Sequence, residues 1–298
     1  MRIVVFGAGK FGQMYLGGGH NKEDEVVAVC DNNYKSFKAP IHGYKVISPK
    51  ELGGINFDRV IITINHTMPK GRKNIREIVQ QLKSMGINEH KIVLMSFVDD
   101  CEHVGARPPR LQFLYDLAKH LNENGVYGAV AELGVFWGNF AANINTAFPN
   151  RKLYLFDSFS NFPESDLAYE DNVVKDHLLY TDQHRLATLE DADYYVHLKM
   201  PHRKNVFIRK GYVPGTLHDM PEEKFAYVHL DMDTYAPTIA GLEYFGSRMS
   251  EGGVIAVHDY GAGNGFYTGC RKAVSEFLAI NANKTVPIGD GTTLLILF

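Results

Sequence analysis

Ala131-Glu132-Leu-Gly134-Val-Phe-Trp-Gly138 has the sequence of a buried strand that ends in a glycine turn and opens a helix. A related stretch, Ile3-Val-Val-Phe-Gly7-Ala-Gly9-Lys-Phe-Gly12, stands at the N-terminus and has the G-x-G-x-x-G spacing of a dinucleotide turn. At both places a helix N-terminus offers backbone N–H groups to a ligand. The central turn has Glu132 where a dinucleotide turn has its first glycine. A carboxylate there suits a cationic or hydroxyl-rich ligand better than a pyrophosphate, so the two turns predict different ligands.

The size and composition of the chain are those of a globular protein with two domains. The chain has 298 residues, of which 45% are hydrophobic and 22% charged. The net charge of −3 gives no electrostatic reason to expect nucleic acid as a partner. The three cysteines, Cys30, Cys101 and Cys270, have neither disulfide-framework nor metal-ligand spacing. With no signal-peptide pattern and no membrane-spanning run, we expect a cytoplasmic protein without a membrane partner.

Strand and helix patterns alternate along the chain, which predicts parallel sheets with helical crossovers. The polar segment 99–109 contains Gly105, Pro108 and Pro109, and it divides residues 1–100 from residues 101–298. The first domain is expected to have four strands at Arg2–Phe6, Glu25–Cys30, Arg59–Thr63 and Lys91–Met95, and a helix over Asn74–Met85.

The second domain begins with an amphipathic helix over Arg110–Asn124. An insertion with helix is expected at Glu164–Met200, facing the substrate. Strands are expected at Val126–Leu133, Leu153–Phe156, Val206–Arg209, Ala226–Leu230 and Gly253–Val257, followed by an antiparallel hairpin of Val286–Ile288 and Thr293–Phe298.

An acidic residue ends the strand that follows the central glycine turn. Lys152-Leu-Tyr-Leu-Phe-Asp157 places a carboxylate where it can accept hydrogen bonds from the vicinal hydroxyls of a ribose. A glycine turn without compact pyrophosphate spacing, followed by such an acid, fits S-adenosylmethionine, which has a ribose and no phosphate. The alternative is a structural turn beside a solvated acid.

Two further strands end in groups that can bind a metal ion. Asp231-Met-Asp233 follows one strand, and His258-Asp259 follows the next. Ligands of open α/β sheets lie beyond the carboxyl ends of the strands, so these groups are expected to converge with Asp157. Converging carboxylates repel one another unless a cation lies between them, and hard oxygen ligands favour Mg²⁺ or Mn²⁺. The alternative is that one of these acids caps a helix and that His258 is packed.

Five blocks of residues 110–298 resemble the macrocin O-methyltransferase family, which methylates sugar hydroxyls. The resemblance implies a class I methyltransferase fold, S-adenosylmethionine as donor and a divalent metal, usually Mg²⁺. The blocks are Ala131-Glu-Leu-Gly-Val-Phe-Trp-Gly, Arg151-Lys-Leu-Tyr-Leu-Phe-Asp-Ser-Phe, Lys210-Gly-Tyr-Val-Pro-Gly-Thr-Leu, His229-Leu-Asp-Met-Asp-Thr-Tyr-Ala-Pro-Thr and Gly252-Gly-Val-Ile-Ala-Val-His-Asp-Tyr.

The resemblance also implies site residues. Donor binding falls on Glu132, Gly134 and Asp157, with Gly138 and Ser158 in the same blocks, and metal binding falls on Asp231, His258 and Asp259. The chain has His258 where several relatives have an acid, and Thr234 where catechol-type relatives have a lysine. Asp231, Asp233 and His258 are therefore the candidates for taking the proton of the substrate hydroxyl. His177, His184, Tyr194 and Tyr195 of the insertion either contact a sugar or lie at the surface.

The N-terminal turn predicts a nucleotide site formed by Gly7, Gly9, Gly12 and Asp31. Residues 1–98 loosely resemble the small Rossmann-like domains of sugar-modifying enzymes. A domain of about a hundred residues is short for a full dinucleotide fold, and no hydride-transfer dyad is visible. The sequence thus predicts two doubly wound α/β domains, with a nucleotide-linked or glycosylated sugar as substrate and a homo-oligomer as an expected assembly. The alternatives are an NAD-dependent oxidoreductase, a non-catalytic nucleotide-sugar-binding protein and a purely structural N-terminal domain.

Overall fold

The computed structural model describes residues 1–19, 24–96, 109–178, 191–261 and 268–298. The chain forms two compact units, one of Met1–Ala106 with Leu198–Pro201 and one of Arg107–His197 with His202–Phe298. The expected boundary at residues 99–109 lies almost wholly outside the described residues, so it stays a prediction. The candidate His184 also lies outside them. None of the described helices is long and apolar enough to cross a bilayer.

The N-terminal unit contains a parallel five-stranded sheet with the strand order β3-β2-β1-β4-β5. Helix α2 begins at Pro69, five residues before the start that periodicity predicts, because a proline fits the first turn of a helix. Its buried side chains include Ile75, Ile78 and Leu82. The elements are β1 (Arg2–Phe6), α1 (Lys10–Met14), a π-helical turn (Tyr15–Gly19), β2 (Glu25–Cys30), β3 (Val46–Ile47), β4 (Arg59–Ile62), α2 (Pro69–Ser84) and β5 (Ile92–Leu94), with 3₁₀ turns at Tyr34–Ser36, Pro49–Gly54 and Glu89–Lys91.

The C-terminal unit contains a seven-stranded sheet with the order β11-β12-β10-β9-β6-β7-β8. Strand β12 runs antiparallel to β10 and β11, and the other pairs are parallel. The strands are β6 (Ala129–Leu133), β7 (Leu153–Asp157), β8 (Val206–Lys210), β9 (Phe225–Leu230), β10 (Met249–Val257), β11 (Lys284–Pro287) and β12 (Leu294–Leu297). The helices are α3 (Pro109–Glu123), α4 (Asn139–Ala147), α5 (Glu164–Leu167), α6 (172–178), α7 (Ala192–Lys199), α8 (Tyr235–Gly246) and α9 (Thr268–Asn281), with 3₁₀ turns at Arg203–Asn205 and Gly215–Leu217.

One row of buried residues crosses the four central strands of this sheet. Leu133 pairs with both Phe156 and Leu230, and Leu230 pairs with Val257. All four side chains are at most 1% exposed. The backbone ladder continues for one residue beyond the row, through bonds from Gly134 N to Phe156 O (2.9 Å), from Asp231 N to Leu133 O (2.8 Å) and from His258 N to Leu230 O (2.8 Å). Gly134, Asp157, Asp231 and His258 therefore leave the sheet at the same level.

We expect Gly134→Ala to destabilise the protein by about 3 kcal/mol or more. Gly134 has a φ of +82°, and an added Cβ would overlap the carbonyl oxygen of Asp231. Gly125→Ala is the matched control, because Gly125 has a φ of +66° with open space around it. That control isolates the cost of the left-handed backbone, about 1–2 kcal/mol. Urea denaturation followed by circular dichroism measures both, and equal losses would contradict the close packing of the turn on β9.

Candidate active site

A cavity of about 280 Å³ lies beyond the carboxyl ends of β6, β7, β9 and β10. The sequence predicted seven of its lining residues: Gly134, Asp157, Ser158, Asp231, Asp233, His258 and Asp259. The lining residues that sequence reasoning missed lie mostly in the loops after β7 and β8 and in α5: Phe136, Ser160, Asn161, Phe162, Pro163, Asp166, Gly211, Tyr212, Val213, Met232 and Pro237. The block Lys210-Gly-Tyr-Val-Pro-Gly contains Gly211, Tyr212 and Val213, and two other quoted blocks contain Phe136, Met232 and Pro237.

Asp157 ties the glycine turn to the end of the neighbouring strand. Its Oδ2 accepts hydrogen bonds from the backbone N–H groups of Val135 (2.7 Å) and Phe136 (2.6 Å). Its Oδ1 accepts one from Phe159 N–H (2.7 Å). Hydrogen bonds to an ionised carboxylate are stronger than neutral ones, so this side chain holds the turn in place. Asp157 also lines the cavity, so a ligand hydroxyl at this wall would meet a carboxylate beside the turn.

Glu132 and Gly138, which were also predicted to bind the donor, are not among the described residues that line the cavity. Glu132 is 1% exposed, and its Oε1 lies 3.1 Å from Nδ1 of the fully buried His229. Gly138 has a φ of +73° and packs against Val196. Glu132 thus faces the interior of the unit, beside β9, and its role in donor binding stays a prediction.

The buried Glu132–His229 pair holds one proton. Burial raises the pKa of Glu132 well above its ordinary value, and the neighbouring Asp231 raises it further. Burial lowers the pKa of His229 to about 3. Both shifts favour the neutral form of the pair, since an uncompensated charge is costly in such a place.

Asp231, His258 and Asp259 form a compact cluster on the cavity wall. His258 Nδ1 lies 3.0 Å from Asp231 Oδ1 and 3.2 Å from Asp259 Oδ1. Burial by itself lowers the pKa of His258, but the two carboxylates outweigh it and raise the pKa to about 10. Burial opposes ionisation of Asp231, yet His258 and the Arg110 guanidinium, whose Nη1 is 4.0 Å from Asp231 Oδ2, hold the pKa of Asp231 below its usual range.

The donor set of this cluster fits a divalent cation. One ligand atom from each of the three residues lies within 4.8 Å of the others, and all three residues line the cavity. A divalent cation there would be held by two carboxylates and an imidazole on adjacent strand ends. The cluster is the one that the sequence predicted, and its metal occupancy stays a prediction.

Three non-glycine residues on the cavity wall have a left-handed backbone conformation. Their φ values are +49° for Phe136, +59° for Asp233 and +62° for Asp259. Asp adopts this conformation at modest cost, whereas Phe rarely does. Because such conformations persist only where the surrounding structure fixes them, their concentration at one cavity is typical of a functional site.

The residues predicted in the N-terminal turn have structural roles in their own unit. Asp31 Oδ2 accepts a hydrogen bond from Ala8 N–H (2.8 Å), and its Oδ1 accepts one from Asn33 N–H (2.7 Å). A Cβ at Gly12 would overlap the carbonyl oxygen of Gly7, whereas Gly9 has open space around it. These contacts explain the turn without a ligand, and the nucleotide site stays a prediction.

The candidate sugar contacts of the insertion do not line the cavity within the described part of the chain. His177 is exposed, Tyr194 is half-buried, and Tyr195 is 1% exposed with its ring 6.4 Å from that of Trp137. Periodicity in this segment was too weak to show which side chains face inward.

We expect Glu132→Gln to become steadily more stable than the wild type as pH rises from about 5 to 8. In the unfolded chain, Glu132 and His229 together bind two protons below about pH 4.5, one proton between about pH 4.5 and 6.5, and none above about pH 6.5. The folded pair keeps one proton throughout. The wild type thus loses stability above pH 6.5, because its folded state holds a proton that the unfolded chain releases. The folded variant binds no proton at these two positions, so the variant gains stability as pH rises to 6.5. The difference in free energy of unfolding should grow by about 1.4 kcal/mol per pH unit.

Urea denaturation across this pH range measures the difference, with the exposed Glu222→Gln as the control for loss of an acid. Glu222→Gln should track the wild type at every pH. Parallel pH profiles for Glu132→Gln and the wild type would show that the buried pair does not retain its proton.

Comparison with known proteins bears on the chemistry of this site. The family model of macrocin O-methyltransferase (TylF) matches residues 102–289, and a model described as C2185-like, N-terminal, matches residues 1–93. Mycinamicin III 3''-O-methyltransferase from Micromonospora griseorubida is 29% identical over 184 residues, which are 56% of this chain and 67% of that protein.

Two solved methyltransferase structures share the fold. The O-methyltransferase NovP is 19% identical with a TM-score of 0.52, covering 76% of this chain and 98% of its own. CalS11, a calicheamicin methyltransferase, is 18% identical with a TM-score of 0.50, covering 79% of this chain and 95% of its own. The family model spans more than half of the sequence, including every strand end that lines the cavity, and the chain therefore belongs to the macrocin O-methyltransferase family.

Proposed function

We propose that this protein transfers a methyl group from S-adenosylmethionine to a hydroxyl of a sugar or glycosylated small molecule, with a divalent cation at Asp231, His258 and Asp259. The main support is that two features face the same cavity: the glycine turn that is hydrogen-bonded to Asp157, and the cluster of Asp231, His258 and Asp259. Family membership supports methyl transfer. The sugar acceptor rests on the family description and on the mycinamicin methyltransferase relative.

The donor is placed at the β6 and β7 side of the cavity. Gly134 and Asp157 both line this wall, and a carboxylate here suits the hydroxyls of a ribose. Ser158 lines the same wall. Glu132 acts behind this wall, through the neutral pair that it forms with His229, and not by direct contact with the donor.

The acceptor is placed between the cation cluster and the loop after β8. Tyr212 lines this part of the cavity, is 45% exposed and donates a hydrogen bond to the carbonyl oxygen of Asn161 (3.1 Å). Phe136, which is 39% exposed, lines the wall at the glycine turn. Aromatic rings of this kind offer apolar surface to the C–H faces of a sugar, while nearby polar groups bind its hydroxyls.

Asp233 is the best placed group to take the proton of the attacking hydroxyl. A cation at the cluster supplies Lewis acidity that lowers the pKa of the hydroxyl. Asp231 and His258 are then ligands, whereas Asp233 lines the cavity outside the three-residue set. Asp233 has a left-handed backbone, with a φ of +59°, and its side chain forms a hydrogen bond with that of Asp259. A positioned carboxylate of this kind contributes about 10²–10⁴-fold to the rate.

For the N-terminal unit we retain a nucleotide-binding role in a Rossmann-like domain, with Gly7, Gly9, Gly12 and Asp31 at the turn. The parallel sheet with the order β3-β2-β1-β4-β5 supports this assignment, since it is the order of doubly wound nucleotide-binding folds. The nucleotide of a nucleotide-linked sugar is the ligand we favour over NAD.

We expect the Asp231→Asn, Asp259→Asn double variant to lose methyl transfer by about 100-fold or more while still binding S-adenosylhomocysteine. Removing the cation removes several kcal/mol of transition-state stabilisation and leaves the donor side of the cavity unchanged. Labelled methyl transfer to nucleotide-sugars and glycosylated macrolides, with and without EDTA, measures turnover, and calorimetry measures binding. The exposed Asp219→Asn is the matched control and should retain both.

Three outcomes would contradict the proposal. If the double variant still transfers methyl groups, and the wild type does so in EDTA, the reaction does not require a cation. Binding of NAD(H) without binding of S-adenosylhomocysteine would instead favour an oxidoreductase that uses the N-terminal turn. Donor binding without transfer to any glycan would favour a binding protein.

A further inference from the structure

The imidazole of His258 gives the cation cluster a nitrogen donor between two carboxylates. Its Nδ1 is the atom nearest to both acids, at 3.0 Å from Asp231 Oδ1 and 3.2 Å from Asp259 Oδ1. A cation that binds both carboxylates and displaces the proton between them and the ring therefore meets a ring nitrogen as its third protein ligand, where a third acid would have offered oxygen.

The ligand atoms are held in place before any cation binds. The backbone N–H of His258 donates to Leu230 O (2.8 Å), which continues the sheet ladder, and the His258 carbonyl oxygen accepts from Cys270 Sγ (3.4 Å). Asp259 is 7% exposed and has a φ of +62°. Because neither backbone can shift freely, His258 cannot easily leave the cluster to make an all-oxygen site.

Ligand chemistry then determines which cation is favoured. Mg²⁺ takes oxygen ligands and keeps several waters, whereas imidazole suits transition-metal cations, and carboxylates suit Mn²⁺ as well as Mg²⁺. We propose that this site selects Mn²⁺, or another divalent transition-metal cation of similar size, over Mg²⁺, and that His258 determines the selection. This inference rests on the proposed cation site and specifies its occupant.

Binding of Mn²⁺ and Mg²⁺ to the chelator-stripped full chain tests the selection directly. We expect calorimetry to show Mn²⁺ binding tighter than Mg²⁺ by about tenfold or more, in line with the preference of nitrogen-containing sites. Electron spin echo spectroscopy of the Mn²⁺-loaded wild type should show modulation from a directly bound ¹⁴N nucleus. This spectrum needs no variant and no turnover.

His258→Asp should abolish the preference, because it gives the site an all-oxygen donor set. In that variant the ratio of Mg²⁺ to Mn²⁺ dissociation constants should fall toward one, and the ¹⁴N modulation should vanish. His218→Asp is the matched control: it makes the same change at an exposed position and should leave both the ratio and the spectrum as in the wild type. Circular dichroism checks that both variants are folded.

Equal affinity of the wild type for the two cations, or bound Mn²⁺ without ¹⁴N modulation, would overturn the inference. So would modulation that persists in folded His258→Asp. If methyl transfer in these cases still requires Mg²⁺, the proposed function stands and only the selection fails. If the wild type binds no divalent cation and transfers methyl in EDTA, both the inference and the cation part of the proposed function are wrong.

Discussion

The register of four parallel strands is the constraint on which the site depends. Leu133, Phe156, Leu230 and Val257 lie in one buried row, so the residues that follow them leave the sheet together. A slip of one residue in any of these strands would turn its core side chains to the opposite face. The burial of the row thus holds the donor turn, the Asp157 carboxylate and the cation cluster at one level. The strand register that buries the core is therefore the same register that aligns the residues of the site.

The two units use the same device to hold a glycine turn. In each, the acid after the second strand accepts hydrogen bonds from the backbone of the turn after the first: Asp31 from Ala8, and Asp157 from Val135 and Phe136. Such an acid satisfies backbone N–H groups of the turn that precedes the helix. A sequence pattern of turn and acid therefore indicates a stabilised turn first and a ligand second. The C-terminal turn differs because other strand ends bring reactive groups to the same cavity.

Much of the fold and part of the site could be predicted, for identifiable physical reasons. The convergence of Asp157, Asp231, His258 and Asp259 could be predicted, because parallel strands have their carboxyl ends at one edge of the sheet. The pairing of Glu132 with His229 could not be predicted, because a contact between residues of neighbouring strands is not visible in a linear sequence. The cavity wall after β7 escaped prediction since loop residues such as Asn161 carry no periodicity.

The buried Glu132–His229 pair also sets the electrostatics of the cluster beside it. The ring centroids of His229 and His258 are 6.2 Å apart, so a proton on His229 would place positive charge next to the proposed cation site. Burial keeps His229 neutral. Glu132 forms a hydrogen bond with the ring, and burial disfavours a charge on Glu132 as well. The carboxylates of Asp231 and Asp259, which face the cavity, are then balanced by His258 and Arg110 and not by His229. An acid in the glycine turn is thus compatible with a cation site because its own charge is suppressed.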